Sequence, residues 1–462
     1  MAGAYRIEKD VMGSVRIPAG AYYGVETARA LHSFDISGVK VAEEFIKAYV
    51  GLKRCAAMVN MRSGGLSKAR GTAIVRACDS ILQGKMREQF VVDVFQAGAG
   101  TNTNMNVNEV VANKALEYMH KHKGEYGALH PNDHVNMSQS TNDTFHSVTH
   151  IAAYIGVSKR LLPAMRSLHG TLERKARDFS NIVKVGRTHL QDAVPMMLGD
   201  EFHGYADAVL KEAKRVENAA EMLLSIPIGG TAIGTGINAG TTYGRDMVKE
   251  LSGYFGMGLR RSRNMYGSMQ NQLSELACAD ALKETAVALG KIANDLRVLG
   301  SGPRGGIGEL RLPPVLPGSS IMPAKVNPSV CEMLNMVCFQ VMGCNTTITE
   351  AAAGGQLELN VFMPVIAFNL LFSIRILANA VGTFDKRCVA GIDANTRQIR
   401  RYLEGDISIA TALTPYIGYA KAAEIARKAY MRDTTVMRVC LEEGIMDEKR
   451  LRRILDPKRQ VR

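Results

Sequence analysis

The segment 318–328, called the serine loop below, combines the side chains that a carboxylate or phosphate site requires. Two hydroxyls, a lysine and an asparagine–proline step lie within eleven residues, at Ser319, Ser320, Lys325, Asn327 and Pro328. Asparagine is favoured as a helix N-cap and proline at the first helical position, and an apolar stretch follows at 330–339. Because helix N-termini attract anions, this pattern predicts a polar loop delivered onto an anion-binding helix start.

Three further polar clusters lie far apart in the sequence, each next to a helical pattern, at 98–106, 130–143 and 186–192. Taken singly, each also fits a helix cap or a hydrogen bond that holds a loop. The clusters at 98–106 and 130–143 share one property with the serine loop, since hydroxyls or amides come just before an apolar helical pattern. Three such helix starts together would make a strong site for a dicarboxylate.

The composition is that of a globular protein, with 46% hydrophobic and 22% charged residues in a chain of 462. Subtracting 44 acidic from 57 basic residues leaves a net charge of +13. This charge fits an acidic substrate or charges scattered for solubility. The basic stretch 449–459 is interpreted as a solvated face, and nucleic-acid binding is not expected because no aromatic-studded basic motif accompanies it.

Metal and nucleotide cofactors are not expected. The eight cysteines form no Cys-x-x-Cys pair, and no histidine completes a zinc pattern. The glycines at 234–236 lack the third glycine and the acidic residue of a dinucleotide site. The N-terminus has no apolar signal core, and Pro364, Asn369 and Arg375 interrupt the most apolar stretch, 361–384. A reduced, cytoplasmic protein without a membrane span is expected.

Apolar spacing predicts a mainly α fold with a long central helix bundle. Helical patterns cover 42–61, 67–84, 109–120, 148–179, 200–225, 271–299 and 345–384. Three domains are predicted: a mixed, mostly helical domain at 1–140, a long-helix bundle at 141–392 and a small helical domain at 393–462.

Taken together, the four polar segments closely resemble the conserved blocks of the aspartase/fumarase superfamily, and the resemblance covers nearly the whole chain. It implies a three-domain, largely helical fold and a homotetramer built around a twenty-helix core. Each active site would take residues from three subunits. The implied reaction is a reversible elimination from a small dicarboxylate that yields fumarate, with no cofactor.

The resemblance also implies roles for ten residues. Ser319 corresponds to the base that removes the proton. The carboxylate beside the deprotonated carbon would be bound by Thr101, Ser140, Thr141 and Ser320. The other carboxylate would be bound by Lys325 and Asn327. Asn142 and the catalytic residue His189 would lie near the leaving group, and Thr188 beside them would contact the substrate.

Local matches favour the aspartase branch, with L-aspartate as substrate and ammonia as leaving group. The matching segments are 101–104, 140–142 and Tyr22–Tyr23. The last stands where fumarases usually have a tryptophan, and this chain contains no tryptophan. Four features depart from the aspartase pattern. They are Asn102, the fumarase-like segment 143–145, His146 in place of a proline, and the segment 362–364. The alternatives are a class II fumarase, a lyase for a substituted aspartate, a non-catalytic structural homologue like some lens crystallins, and a basic nucleic-acid binder.

Overall fold

The computed structural model describes residues 4–461, and the chain is mainly α-helical, as predicted. The α-helices of the described residues are α1 Val25–Ser33, α2 Glu43–Arg62, α3 Lys68–Leu82, α4 Thr101–Tyr118, α5 Thr141–Gly156, α6 Leu162–Asp178, α7 Leu198–Ala220, α8 Tyr243–Phe255, α9 Met265–Gln270, α10 Leu273–Leu299, α11 Ser329–Ala353, α12 Met363–Arg387, α13 Thr396–Gly405, α14 Thr414–Ile417, α15 Tyr419–Met431, α16 Val436–Glu442, α17 Glu448–Ile454 and α18 Pro457–Gln460.

Within residues 4–461, the strands are short and form four two-stranded sheets. They are β1 Tyr5–Asp10, β2 Gly13–Pro18, β3 Val183–Thr188, β4 Gln191–Met197, β5 Ser225–Ile226, β6 Arg260–Arg261, β7 Leu310–Arg311 and β8 Asp393–Ala394. The pairs β1–β2, β3–β4 and β7–β8 are antiparallel, and β5–β6 is parallel.

Contacts between residues divide the chain into two compact units. The first comprises the described residues through Leu162 together with Lys214–Glu284 and Phe339–Leu377. The second comprises Pro163–Ala213, Thr285–Cys338 and the described chain from Ala378 onwards. The boundaries fall within α7, α10, α11 and α12 or next to the start of α6. The division into three domains stays a prediction.

Helix α2 is central to the first unit, where it packs against α3, α5 and α8. Its first turn carries Glu43 and Glu44 and its last turn Arg62, which suits the helix dipole at both ends. Phe45, Tyr49 and Leu52 are buried on it, at the three- and four-residue spacing of one helix face. Helix α3 in turn packs against α4, so α2 and α3 support the starts of both α4 and α5.

In the second unit, β3 and β4 form a hairpin against which α13 packs. Towards the C-terminus, the residues from about 407 to 455 bury a hydrophobic cluster of their own, which includes Leu413, Ile425, Val439 and Leu451.

The prediction of one long helix at 345–384 is wrong, because α11 ends at Ala353 and α12 begins at Met363. Asn360 explains the break by serving both helix ends. Its Nδ2 donates to the carbonyls of Ala351 and Ala352, and its Oδ1 accepts from the Phe362 amide at 2.9 Å. Part of each helix terminus is thereby satisfied within the connection.

Helix α12 lies in the most apolar part of the sequence. Among the described residues, the segment Met363–Gly391 alone is long and apolar enough to cross a membrane. Because 61% of its most apolar window is buried inside the chain, packing against the protein accounts for this composition.

Gly100, immediately before α4, allows a stability prediction. It has φ +84°, and a Cβ there would collide with the Phe145 ring. Gly100→Ala is therefore expected to destabilise the protein by about 3 kcal/mol, as strain plus overpacking. Gly64→Ala is the matched control, since Gly64 has φ +79° with open space around it and should cost about 1 kcal/mol. Denaturant unfolding of both variants measures the difference, and equal losses would contradict the steric account.

Candidate active site

The first polar cluster begins with a tight turn and continues into α4. Gly98–Gly100 forms the turn, and Thr101 is the exposed first residue of the helix. The amide of Thr103 donates to Gln96 Oε1 at 2.9 Å, and the Ala97 amide donates to Asn102 Oδ1 at the same distance. These bonds fix the turn, so that the Thr101 side chain is placed at a rigid helix start.

Apolar spacing predicts this helix from residue 109, whereas α4 begins eight residues earlier, at Thr101. Polar residues 101–108 belong to the helix, and Thr103, Asn104, Asn106 and Asn108 on it are buried. The polarity of this stretch reflects hydrogen bonds inside the protein, a cause that apolar periodicity does not detect.

The second cluster forms the start of α5. Ser140 is the N-cap, whose Oγ accepts from the Asn142 amide at 3.2 Å, while the Ser140 amide donates to Asp143 Oδ1 at 3.0 Å. This reciprocal arrangement satisfies helix-end donors in the manner of a capping box. It fixes the orientation of Ser140, Thr141 and Asn142 relative to the helix axis.

Asp143 also anchors a second chain segment to this helix start. Its Oδ2 accepts from the backbone amides of Gly229 and Thr231 at 2.9 and 3.1 Å. The side chain of Asn142 adds a third bond, in which Nδ2 donates to the Ala232 carbonyl at 2.7 Å. Burial raises the pKa of Asp143 to about 6, while the three backbone N–H donors and the Lys53 charge act in the opposite direction. The carboxyl group is thus held by three backbone donors at the start of α5.

The structure joins the first and second clusters directly. Asn104 Nδ2 donates to Thr141 Oγ1 at 2.9 Å, which links the first turn of α4 to the first residue of α5. Lys53 Nζ donates to Asn104 Oδ1, Asn136 Oδ1 and Gln139 Oε1 at 2.8 to 2.9 Å. Lys53 was not singled out from the sequence, although it is completely buried. The sequence feature that indicates its burial is its position next to Leu52, on the apolar face of α2.

The third cluster is the turn of the β3–β4 hairpin in the second unit. His189 and Leu190 both have positive φ, at 56° and 59°, and both are exposed. Positive φ is uncommon outside glycine, although histidine adopts it more readily than most residues, so the backbone strain of this turn falls mainly on Leu190. Thr188, the last residue of β3, pairs with Gln191 across the turn and is also exposed.

Ion pairs hold the base of this hairpin. Arg187 and Lys184 both contact the buried carboxylate of Glu309, at 2.8 and 3.1 Å, and Lys184 also contacts Glu201 at 2.9 Å. Buried ion pairs are costly to break, so the hairpin has a firm base beneath its exposed turn.

The serine loop closes on itself. The Gly318 amide donates to the Lys325 carbonyl at 2.8 Å, and Asn327 Nδ2 donates to the Gly318 carbonyl at 2.7 Å. Ser319 Oγ accepts from the amides of Ile321 and Met322 at 3.2 and 2.9 Å. Two donors aimed at one hydroxyl oxygen stabilise negative charge on it. Ser320 and Lys325 are exposed.

The expectation that Asn327 caps the following helix is wrong. Helix α11 begins at Ser329, and the Glu332 amide donates to the Pro328 carbonyl at 3.1 Å, so Pro328 occupies the N-cap position. The Asn327 side chain instead closes the serine loop.

The ten expected site residues are thus divided between the two units. The first unit holds Thr101, Ser140, Thr141 and Asn142, and hydrogen bonds link their two helix starts. The second unit holds Thr188, His189, Ser319, Ser320, Lys325 and Asn327, on the hairpin turn and the serine loop. Within residues 4–461, no group of three histidine, cysteine, aspartate or glutamate side chains is placed to hold a metal ion.

Comparison with known proteins gives consistent matches. A family model described as Lyase matches residues 13–343, and one described as Fumarase C C-terminus matches 409–461. Aspartate ammonia-lyase from Bacillus sp is 44% identical over 452 residues, covering 98% of this chain and 96% of that protein. Fumarate hydratase class II from Thermosynechococcus vestitus is 44% identical over 441 residues, covering 96% and 94%. The crystal structure of fumarate lyase:delta crystallin from Brucella melitensis has a TM-score of 0.95 at 45% identity and covers 99% of both chains.

The helical fold and these matches together define a lyase. The chain belongs to the aspartase/fumarase superfamily, as the four polar segments indicated. Relatives named aspartate ammonia-lyase and fumarate hydratase are equally identical to it, so overall identity does not distinguish ammonia from water as the leaving group.

The Asp143 contacts predict the effect of an isosteric change. Asp143→Asn replaces one acceptor oxygen by an NH₂ group, which would then face a backbone N–H. The expected loss of stability is about 3 kcal/mol, since a buried donor loses its partner. Asp93→Asn is a matched control away from α5, because Asp93 also accepts three backbone amides, from Ser37, Gly38 and Phe95.

Denaturant unfolding gives the stability of both variants, and proteolysis of the 229–231 segment reports its release. We expect both variants to lose stability but only Asp143→Asn to become cleavable there. Protection of that segment in Asp143→Asn would contradict the anchoring role.

Proposed function

We propose that this chain is an aspartate ammonia-lyase, which converts L-aspartate reversibly to fumarate and ammonia. The proposal of a dicarboxylate substrate rests on the junction of two helix starts, where a hydrogen bond from Asn104 on α4 holds Thr141 of α5. The positive ends of two helix dipoles and several hydroxyls converge at such a junction, and this combination favours a carboxylate.

The proposed reaction begins with removal of a proton from the carbon beside one carboxylate. Ser319, deprotonated at Oγ, takes this proton and becomes a neutral hydroxyl, and the electron pair of the broken C–H bond passes into the carboxylate to give an aci-carboxylate. The C–N bond then breaks, its electron pair leaves with the amine, and fumarate remains. The two backbone amides that donate to Ser319 Oγ support this role, since they stabilise the oxygen as it becomes a base.

The remaining roles follow the family resemblance. Thr101, Ser140, Thr141 and Ser320 stabilise the charge that develops on the carboxylate next to the deprotonated carbon. The ammonium of Lys325 and the side chain of Asn327 bind the other carboxylate. Asn142, Thr188 and His189 lie at the amine.

Ammonia is proposed as the leaving group because of local sequence matches. The segments 101–104 and 140–142 resemble aspartases, and Tyr22–Tyr23 stands where fumarases usually have tryptophan. The segment 143–145 favours a class II fumarase instead, because it resembles the corresponding segment of fumarases. Its residues Asp143 and Thr144 are buried at the start of α5. Fumarate hydratase is therefore the second candidate.

We further propose that the enzyme is a cytoplasmic homotetramer whose active sites take residues from several subunits. The exposure of Thr101, His189, Ser320 and Lys325 in the single chain supports this, because substrate-binding groups need a closed, water-poor site to act strongly. Large exposed apolar side chains on the long helices, such as Val287, Met336 and Phe339, are typical of a surface covered by another subunit.

A substrate assay tests the proposed reaction. The purified protein is incubated separately with L-aspartate and L-malate, and fumarate is followed by its ultraviolet absorbance. We expect fumarate from L-aspartate together with an equal amount of ammonia. Fumarate from malate alone would establish the hydratase instead, and none from either substrate would point to a non-catalytic homologue.

A second prediction concerns Ser319. Ser319→Ala should lower kcat by about 100- to 10,000-fold, the usual contribution of a general base, with the melting temperature and oligomeric state unchanged. Ser301→Ala is the matched control, since Ser301 Oγ also accepts a backbone amide in a loop, from Ile307 at 3.0 Å. Wild-type turnover in Ser319→Ala would remove Ser319 from the role of base.

A further inference from the structure

Lys53 is a completely buried lysine whose hydrogen bonds go to amide oxygens. Its Nζ lies 2.8 Å from Asn104 Oδ1 and 2.9 Å from both Asn136 Oδ1 and Gln139 Oε1. An ammonium group has three donors, so these three bonds use its full capacity. The lysine thereby connects α2 with the first turn of α4 and with the turn that precedes α5.

The chemistry of the ammonium fixes the orientation of all three amides. An ammonium donates and never accepts, so each amide must turn its oxygen towards Lys53 and its nitrogen away. The nitrogens have matching acceptors. Gln139 Nε2 donates to the Val135 and Met137 carbonyls, and Asn136 Nδ2 donates to the Gln139 carbonyl. Asn104 Nδ2 donates to Thr141 Oγ1 at 2.9 Å.

The last of these bonds determines what Thr141 can offer. Because Thr141 Oγ1 accepts from Asn104, its own hydrogen must point elsewhere. Within residues 4–461, the structure shows no hydrogen bond donated by Thr141 Oγ1. A carboxylate oxygen only accepts, so the orientation imposed on Thr141 fits a carboxylate. With Asn104 turned the other way, Thr141 would donate to it and present lone pairs to the substrate.

We infer that Lys53 is a positioning residue, which acts through Asn104 to make the Thr141 hydroxyl a hydrogen-bond donor to a substrate carboxylate. The inference rests on the proposed function, because the carboxylate is that of the dicarboxylate substrate. To that function the inference adds a buried chain of hydrogen bonds, from Lys53 through Asn104 to Thr141. This chain favours a substrate group that only accepts hydrogen bonds at this position.

The electrostatic surroundings of Lys53 support the same arrangement. The Tyr49 ring lies 5.2 Å from Nζ, and the buried carboxylate of Asp143 acts on it across space. Burial lowers the pKa of Lys53 to about 7, whereas Asp143 and Cys78 act to raise it. Hydrogen bonds to the three amide oxygens favour the charged form, and protonated Lys53 holds a positive charge behind Asn104 and Thr141.

The most direct test is Asn104→Asp, which keeps the shape and the bond to Lys53 but removes the NH₂ group. Thr141 would then donate to the introduced carboxylate and turn its hydrogen away from the substrate. We expect the Kd for fumarate, measured by calorimetry, to rise about 10- to 100-fold. The melting temperature should stay within about 5 °C of the wild type, because the new carboxylate pairs with the lysine.

A pair of variants on α2 separates positioning from general support. Lys53→Met removes the ammonium, and Asn60→Ala removes a buried amide that holds the same 136–139 turn, through the Met137 carbonyl at 3.0 Å. Both should lower the melting temperature. Only Lys53→Met should weaken fumarate binding, by about tenfold, while Asn60→Ala stays within about threefold of wild type.

Two results would overturn the inference. One is near-wild-type fumarate affinity in Asn104→Asp, and the other is an equal change of affinity in Lys53→Met and Asn60→Ala. If Lys53→Met does not fold, Asn104→Asp alone decides. The proposed reaction is judged separately by turnover of L-aspartate in the wild type, so a protein that binds fumarate without releasing it from aspartate would contradict the function alone.

Discussion

The burial of the Lys53 charge is the constraint on which the first unit depends. Removing an ammonium from water costs several kcal/mol unless other groups solvate it. Here the solvating groups are three amide oxygens, contributed by α4 and by the turn before α5. Because these amides must surround one nitrogen atom, the two helix starts are held in a fixed relation to α2.

Asp143 completes this arrangement as a second buried charge of opposite sign. It holds the α5 start through Ser140 and a separate segment through Gly229 and Thr231. Two buried polar side chains, each satisfied by several hydrogen bonds, make the region rigid. Such preorganisation suits a site that must stabilise charge as it develops, since no reorganisation is needed during the reaction. The serine loop differs, because its side-chain hydrogen bonds run within the loop and Ser320 and Lys325 remain exposed.

Much of the fold was predictable because apolar periodicity reports helices directly. Helices α2, α3 and α10 lie within one or two residues of their predicted spans. The break at 354–362 was missed because one side chain, Asn360, caps two helices, which apolar spacing does not show. The early start of α4 was missed because its first residues are polar and buried.

The candidate site residues came from polar clusters and from family resemblance, whereas Lys53 was found only in the structure. In the sequence it is one of 57 basic residues, and its importance depends on contacts with residues 51 to 86 positions away. Pairings over such distances in sequence follow from the packing of α2 against α4 and α5 and have no local pattern.

The central claim is that Thr141, oriented by Lys53 through Asn104, donates to a substrate carboxylate. A crystal structure of the protein with bound fumarate tests it most directly. The expected result is a carboxylate oxygen about 2.7 Å from Thr141 Oγ1, with Asn104 Oδ1 still on Lys53 and its Nδ2 on Thr141. Fumarate bound with no carboxylate oxygen within hydrogen-bonding distance of Thr141 Oγ1 would contradict the claim.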